Sequence, residues 1–489
     1  MATYETVVGL EVHVQLNTST KIFCGCSTDY VGRLPNTYVC PICLGFPGTL
    51  PVLNTEVLNS ALKACMSLNC EIPSRTKFDR KHYFYPDLPK AFQISQLDEP
   101  IGEHGYLEIE LEGSEVEYKR IGITRIHMEE DAGKLSHSEQ NGDSLVDYNR
   151  GGIPLLEIVS EPDIRNSYEA RAYLAKLRLA LLYLGISDCD MENGSLRCDL
   201  NVSVRLSGTT ELGTRVEVKN MNSFKSVAAA LEYERDRQIH TLQSGGTLIQ
   251  CTRLWDEERG ETRLMRSKED EDDYRYFPEP DLPPIFLDEE KLVTLRKSLP
   301  ESPEARLIRY QSLGLLHENA QTLVTNKDWG DFFDAACERT DQESYVNLSN
   351  WIISELGAWL KDHPEFKMTT LRVSPENLGN LMRCIQSQEI SGKQAKLVLS
   401  NLLENGGDVA SVIESLGLRQ ISDDASLAGM IHKIIEENPS VLEDLQDGKK
   451  KAFGYLMGQI MKLSRGQANP GKVNKMLREV LKRDFSIEA

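Results

Sequence analysis

Residues Val7 to Leu16 (VVGLEVHVQL) constrain the fold more than any other stretch. Branched apolar residues alternate there with other side chains at period two, which predicts a β-strand. Val8, Leu10, Val12 and Val14 share one face and Glu11, His13 and Gln15 the other. The first face demands a core on one side of a sheet. The second sets a carboxylate and an imidazole two residues apart, where both can reach one ion; a plain solvated face fits the same pattern.

Other strands repeat the ionic row. Glu192 to Arg205 alternates so that Ser195, Arg197, Asp199, Asn201, Ser203 and Arg205 lie together, and Arg215, Glu217 and Lys219 do the same further on. Leu155–Val159 is an apolar strand with Glu157 at its centre, and a buried carboxylate needs a cation, either Arg or Lys or a metal. His127 precedes three acids in a row. In a strand Glu129 and Asp131 face one way and Glu130 the other, so only one set can join an ion. Several such strands make either a cradle for metal and polyanion or the solvated outside of a sheet.

Eleven cysteines is an odd number, which fits reduced thiols better than a disulfide framework. Four of them cluster as Cys24-x-Cys26 and Cys40-Pro-Ile-Cys43. Two short chelating pairs across a loop predict a zinc site of four thiolates, closed to other ligands and therefore structural. Lys77 to Lys90 interleaves cations with aromatics (KFDRKHYFYPDLPK), which suits a phosphate and a base ring, or a surface hairpin with aromatic cross-strand pairs.

Helical patterns are expected at Glu56–Leu68 and at Glu161–Leu184, the latter with Pro162 in its first turn. Glu269–Asp273 reads as a solvated acidic loop, and the proline-rich stretch after it ends a first domain, 1–290. A helical domain, 291–407, follows; its last helix opens on the capping box Ser391–Gln394 and stops at Gly406-Gly407. A helical tail, 408–489, completes the chain, and Gly454, Gly458 and Gly466 are expected to let its helices approach closely. The net charge of −20 argues against broad, non-specific nucleic-acid binding. Yet Lys449 to Arg483 carries ten Lys or Arg against one acid, Glu479, which suggests a local polyanion site. No run nears the ~18 apolar residues of a membrane span and no signal peptide is visible, so the expected location is the cytoplasm, or an organellar matrix if a transit peptide is removed.

Taken together, these stretches resemble the B-subunit family of glutamyl/aspartyl-tRNA amidotransferases, GatB. The matching motifs are Gly9–His13, Phe78–Lys81 with Tyr83–Asp87, His127–Lys134, Leu155–Asp163, Gly194–Asp199, Asp273–Asp281 and Gly458–Lys462. They span almost the whole chain. The resemblance implies an α+β protein: a cradle with an antiparallel sheet, similar to glutamine synthetase and guanidino kinases, then an all-α domain and a small α-helical tail similar to YqeY. It implies a magnesium site on Glu11, His13, Glu130 and Glu157, with manganese more tolerant of the imidazole. It implies an ATP and substrate pocket on Lys81, Tyr83, Lys90, Ser195 and Arg197, besides the zinc on Cys24, Cys26, Cys40 and Cys43.

The implied activity is that of a carbon–nitrogen ligase. ATP phosphorylates the side-chain carboxylate of Glu or Asp mischarged on tRNA(Gln) or tRNA(Asn), and ammonia displaces the phosphate. The sequence contains no glycine- and serine-rich amidase stretch and no N-terminal cysteine nucleophile. The resemblance therefore implies two partner chains: a separate amidase, GatA, which sends ammonia through a channel, and a small bridging protein, GatC. The other reading is a non-catalytic tRNA-binding scaffold, which the basic tail alone would suit.

Overall fold

The computed structural model describes residues 3–487, apart from 112, 114–116, 138–141, 268–273, 419–422, 447–448, 450 and 465–467. The acidic run Glu269–Asp273 and the glycine at 466 lie outside the described residues. The chain forms two compact units, Met1–Pro303 and Glu304–Ala489.

The first unit is built on eight strands: β1 (Tyr4–Gln15), β2 (Gly102–Glu110), β3 (Tyr118–Glu130), β4 (Pro154–Ser160), β5 (Leu196–Leu206), β6 (Val216–Lys219), β7 (Cys251–Asp256) and β8 (Glu261–Ser267). Their order is β8-β7-β6-β5-β1-β4-β3-β2. The alternation in β1 has the expected effect: Val8, Leu10, Val12 and Val14 are fully buried, and Glu11, His13 and Gln15 line the opposite face. Helices α1 (Thr55–Ser67), α2 (Ser167–Leu184) and α3 (Phe224–Gln243) contribute to the same apolar core. Side chains such as Leu10 or Ile158 contribute roughly 1.5–3 kcal/mol each by that burial. The sheet is antiparallel except between β6 and β7, which α3 connects and which run parallel.

Two helix starts differ from the sequence reading for local reasons. Asn54 caps α1 by accepting from Glu56 N–H. Helix α2 begins at Ser167, not Glu161, because Asn166 accepts from Glu169 N–H at 2.8 Å and Val8 N–H holds Ile164 C=O at 3.0 Å, which keeps the preceding residues extended.

A small sheet of Phe277–Pro278, Asp79–His82 and Phe92–Ser95 stands at the end of β3. Gln93 donates to Glu130 C=O at 2.8 Å, and Met128 N–H donates to Gln96 at 2.9 Å. These bonds hang the aromatic segment over the ionic face.

The second unit is helical. Arg306 is buried and donates to Tyr310 at 2.8 Å and to Asp334 at 2.7 Å, tying Pro303–Ser312 to Lys327–Cys337. The helix Gly392–Asn405 has the expected capping box and ends at Gly406, φ +71°. The short helix Val409–Ser415 packs back on it, and Gln394 donates to Leu418 C=O just beyond. Asp424–Glu437, Pro439–Gln446, Lys451–Leu463 and Pro470–Phe485 share their own core, including Leu427, Ile431, Leu456 and Leu477. Gly454 and Gly458 do not serve close helix approach: nothing lies within 4 Å of a Cβ built on either. Among the described residues no helix is long and apolar enough to cross a membrane.

Candidate active site and metal centres

Register brings the ionic rows together. On β1, His13 stands opposite Glu157 of β4 on one side and Arg197 of β5 on the other; Glu11 faces Asp199, and His127 of β3 faces Glu157. Around His13 Nε2 lie Glu129 Oε1 at 3.5 Å, Glu157 Oε2 at 3.6 Å and Glu11 Oε1 at 3.8 Å. The cleft above them has a volume of about 620 Å³ and is walled by Lys81, Tyr83, Arg197, Lys219 and Tyr274.

Two other acids of this cleft, Asp131 and Asp199, are already paired. Arg197 and Gln15 each donate to Asp131 at 2.9 Å, and Lys219 donates to Asp199. Glu11, Glu129 and Glu157 instead share one imidazole. Burial opposes charge on His13, but the Glu157 carboxylate and the charges of Glu129 and Glu11 outweigh it and raise its pKa to about 9. Burial and the neighbouring Glu157 push Glu129 up to about 7, and the same two causes raise Glu11. Glu157 is held well below the ordinary range: burial works against this, but the nearby His13 imidazole and the charges of His127 and Lys81 prevail. Three carboxylates around one cation leave a negative excess that a divalent ion fits.

Of the four residues expected to share an ion, Glu11, His13 and Glu157 converge. Glu130 does not. Its carboxylate turns to the other side of β3, where Lys90 and Ile94 N–H donate to it. Glu129, its neighbour on the strand, faces the cleft instead and lies 3.5 Å from His13 Nε2, outside the close group of Glu11, His13 and Glu157. Lys90 goes with Glu130, in a separate cavity of about 230 Å³ beside the cysteines. Ser195 closes the turn before β5 by donating to Asp188 and accepting from Asp190 N–H, and does not line the cleft. Lys81, Tyr83 and Arg197 do line it. Burial opposes charge on Lys81, but Tyr276, Glu129 and Glu157 keep it firmly protonated, with Nζ 4.8 Å from the centre of the Tyr274 ring. Sequence reasoning did not assign Glu129, Asp131, Lys219 or Tyr274 to the pocket. His127 is also close: its Nδ1 lies 3.8 Å from Glu157, its buried Nε2 has no partner among the described residues, and burial pushes its pKa down to about 4.

The ligand atoms of Cys24, Cys26, Cys40 and Cys43 all lie within 4.8 Å of one another. The adjacent Cys24 thiol, against the effect of burial and with help from Cys40 N–H and Lys21, pushes the Cys43 thiol down to about 5. Lys21, fully buried, donates to Tyr38 C=O at 2.8 Å and points at Cys43. Four converging sulfurs with a buried cation beside them fit a zinc ion held by thiolates.

Fold and site together define a catalytic domain organised around a carboxylate cradle and extended by helices. Residues 6–293 match the family model described as the GatB/GatE catalytic domain, and residues 331–481 match a GatB domain. The chain belongs to the GatB family. It is 51% identical over 485 residues to the B subunit of the aspartyl/glutamyl-tRNA(Asn/Gln) amidotransferase of Carboxydothermus hydrogenoformans, covering 98% of this chain and 99% of the relative. The protein of the same name from Oceanobacillus iheyensis is 52% identical over 480 residues, with 98% and 99% covered. That from Crocosphaera subtropica is 50% identical over 487 residues, with 98% of each covered.

Proposed function

We propose that this chain is the GatB component of an ATP-dependent tRNA amidotransferase, and that its cradle activates and amidates Glu or Asp mischarged on tRNA(Gln) or tRNA(Asn). The observation that carries the reading is the convergence of Glu11, Glu129 and Glu157 on His13 in a cleft walled by Lys81, Arg197 and Lys219. A non-catalytic scaffold has no use for that convergence.

The side-chain carboxylate of the substrate does not react with ammonia, because oxide is a poor leaving group. Transfer of the γ-phosphoryl group of ATP to a carboxylate oxygen gives an acyl phosphate and ADP; ammonia then adds at the carbonyl carbon and phosphate departs. Lys81 and Arg197 are placed to offset charge on the phosphoryl oxygens. Glu11, His13, Glu129 and Glu157 would hold magnesium or manganese, which supplies further neutralisation of phosphate charge. His13 carries a proton when no ion is bound, so it must release one to become a ligand. Tyr83 donates to Gln93 at 3.3 Å and so stands fixed at the rim.

Cys24, Cys26, Cys40 and Cys43 hold a structural zinc in this reading. Ammonia comes from the partner amidase, GatA, and the small GatC completes a heterotrimer in the cytoplasm or an organellar matrix. The separate core of the last four helices and the basic stretch from Lys449 to Arg483 support a tRNA-binding tail. The test is amidation of each mischarged tRNA by the reconstituted complex, with and without ATP and with and without the amidase. ATP-independent amidation, or none with any tRNA, refutes the reading.

A further inference from the structure

Beside the carboxylate cradle lies a second cleft, of about 590 Å³, whose walls are almost wholly aromatic. Phe84, Tyr85 and Phe277 line it, with His82 stacked on Phe277 at 4.8 Å between ring centres and 26° between planes. Tyr83, Tyr85 and Tyr274 line both clefts, so the two adjoin across these rings. Phe84 is 78% exposed, Tyr85 47% and Phe277 45%. Phe84 makes no ring contact among the described residues. Large open rings around an ionic site are costly to keep in water unless something covers them.

We infer that this cleft is the stacking platform for the unpaired 3′-terminal nucleotides of the aminoacylated tRNA. The inference rests on the function proposed above. In such a substrate the reacting carboxylate is joined to the terminal ribose through only a few carbon atoms. Once that carboxylate sits over Glu11, His13 and Glu129, the terminal base must lie in an adjoining cleft, and this one adjoins. Single-stranded RNA ends are held by stacking splayed bases on Phe, Tyr and His rings. Stacking also provides binding that long-range charge cannot in a chain of net charge −20. Arg275, exposed on the rim, is placed for a backbone phosphate. The adenine of ATP is the other base at hand. Small-molecule sites enclose most of their ligand, however, whereas this strip is open and suits a strand that runs on into a stem.

The test uses the reconstituted complex and a tRNA whose terminal adenine is replaced by 2-aminopurine, a base whose fluorescence falls when it stacks. Binding to the unaltered complex should quench it. Phe84→Ala and Phe84→Leu should both abolish the quenching and raise KM for mischarged tRNA by about 5- to 100-fold, and Phe84→Trp should restore both. KM for ATP should stay within about twofold. Phe84→Leu keeps the apolar bulk, so its failure alongside Ala assigns the loss to the ring and not to folding. A rise in KM for ATP with that for tRNA unmoved overturns the inference and gives the cleft to the nucleotide. Unchanged quenching in all variants overturns it as well. If the unaltered complex quenches the probe but never amidates, the proposed reaction fails and the platform stands.

Discussion

Neighbouring glutamates on β3 give the sharpest test of the site. Glu129 and Glu130 are adjacent in sequence but lie on opposite sides of the strand, one 3.5 Å from His13 and the other bonded to Lys90. A unit charge at 3.5 Å is worth roughly 5 kcal/mol at an effective dielectric of about 20. Burial already raises Glu129 to about 7, so part of that attraction is spent on ionising it. A net loss of roughly 2–4 kcal/mol remains, or about 30- to 1000-fold in divalent-ion affinity, when Glu129→Gln removes the charge. Glu130→Gln should change ion affinity by less than about threefold, but should lower stability by roughly 1–3 kcal/mol because it leaves the Lys90 ammonium buried beside a neutral amide. Manganese titration of the full chain, followed by electron paramagnetic resonance, reads affinity without depending on turnover. Thermal unfolding reads the other effect. If Glu130→Gln abolishes manganese binding and Glu129→Gln leaves it intact, the assignment of strand faces is wrong.

Other outcomes are equally specific. Metal analysis of protein purified without chelator should find one zinc per chain, and Cys40→Ser should release it and lower the melting temperature; absence of zinc from the unaltered protein refutes the four-thiolate site. Deleting residues 424–489 should weaken tRNA binding and flatten its salt dependence while leaving glutamine hydrolysis by the amidase intact; unchanged tRNA affinity across salt refutes a tail contact. In the helical unit, Asp334 is held below the ordinary carboxylate range: burial opposes this, but hydrogen bonds from Arg309 and Arg306 prevail. The folded chain therefore binds fewer protons there than the unfolded one. The stabilisation is complete above pH ~4 and is lost as pH falls through the depressed value, so Asp334→Asn should reduce stability at pH 7 by roughly 1–3 kcal/mol and shrink the difference in acid; equal loss at both pH values, measured by denaturant unfolding, refutes it.

Much of the cradle was legible because period-two patterning is local. Val8 to Val14 set the core face of β1, and with it the side on which Glu11 and His13 stand. The Glu129/Glu130 alternative was not decidable that way, and the reason is physical. Counting along β3 from the buried Ile121 and Ile123 puts residue 129 in the core and Glu130 over the cleft. A bulge between Ile123 and Arg125 shifts the phase, so Ile126 and Met128 are the buried pair and Glu129 turns out. Nothing in the residue types marks that bulge. Lys90 and Ser195 lie outside the cleft for another reason: both sit in irregular segments whose direction depends on their partners, Glu130 and Asp188. The convergence of Cys24, Cys26, Cys40 and Cys43 needed no such information, since chelating pairs act over a few residues.

The placement of β1 also bears on how the chain is made. It is central in the sheet, yet its partners come late: Gln15 pairs with Leu155 and Tyr4 with Leu206, 140 to 202 residues further on. At about 5–20 residues per second, a ribosome leaves this apolar strand without either neighbour for roughly 7–40 s. Contacts of such separation fold slowly, and an unpaired strand that alternates valine and leucine is a template for pairing with other chains. Nascent chains stalled or truncated before residue 206 should therefore aggregate or remain bound to chaperones, whereas those released beyond Lys219 have every neighbour β1 needs.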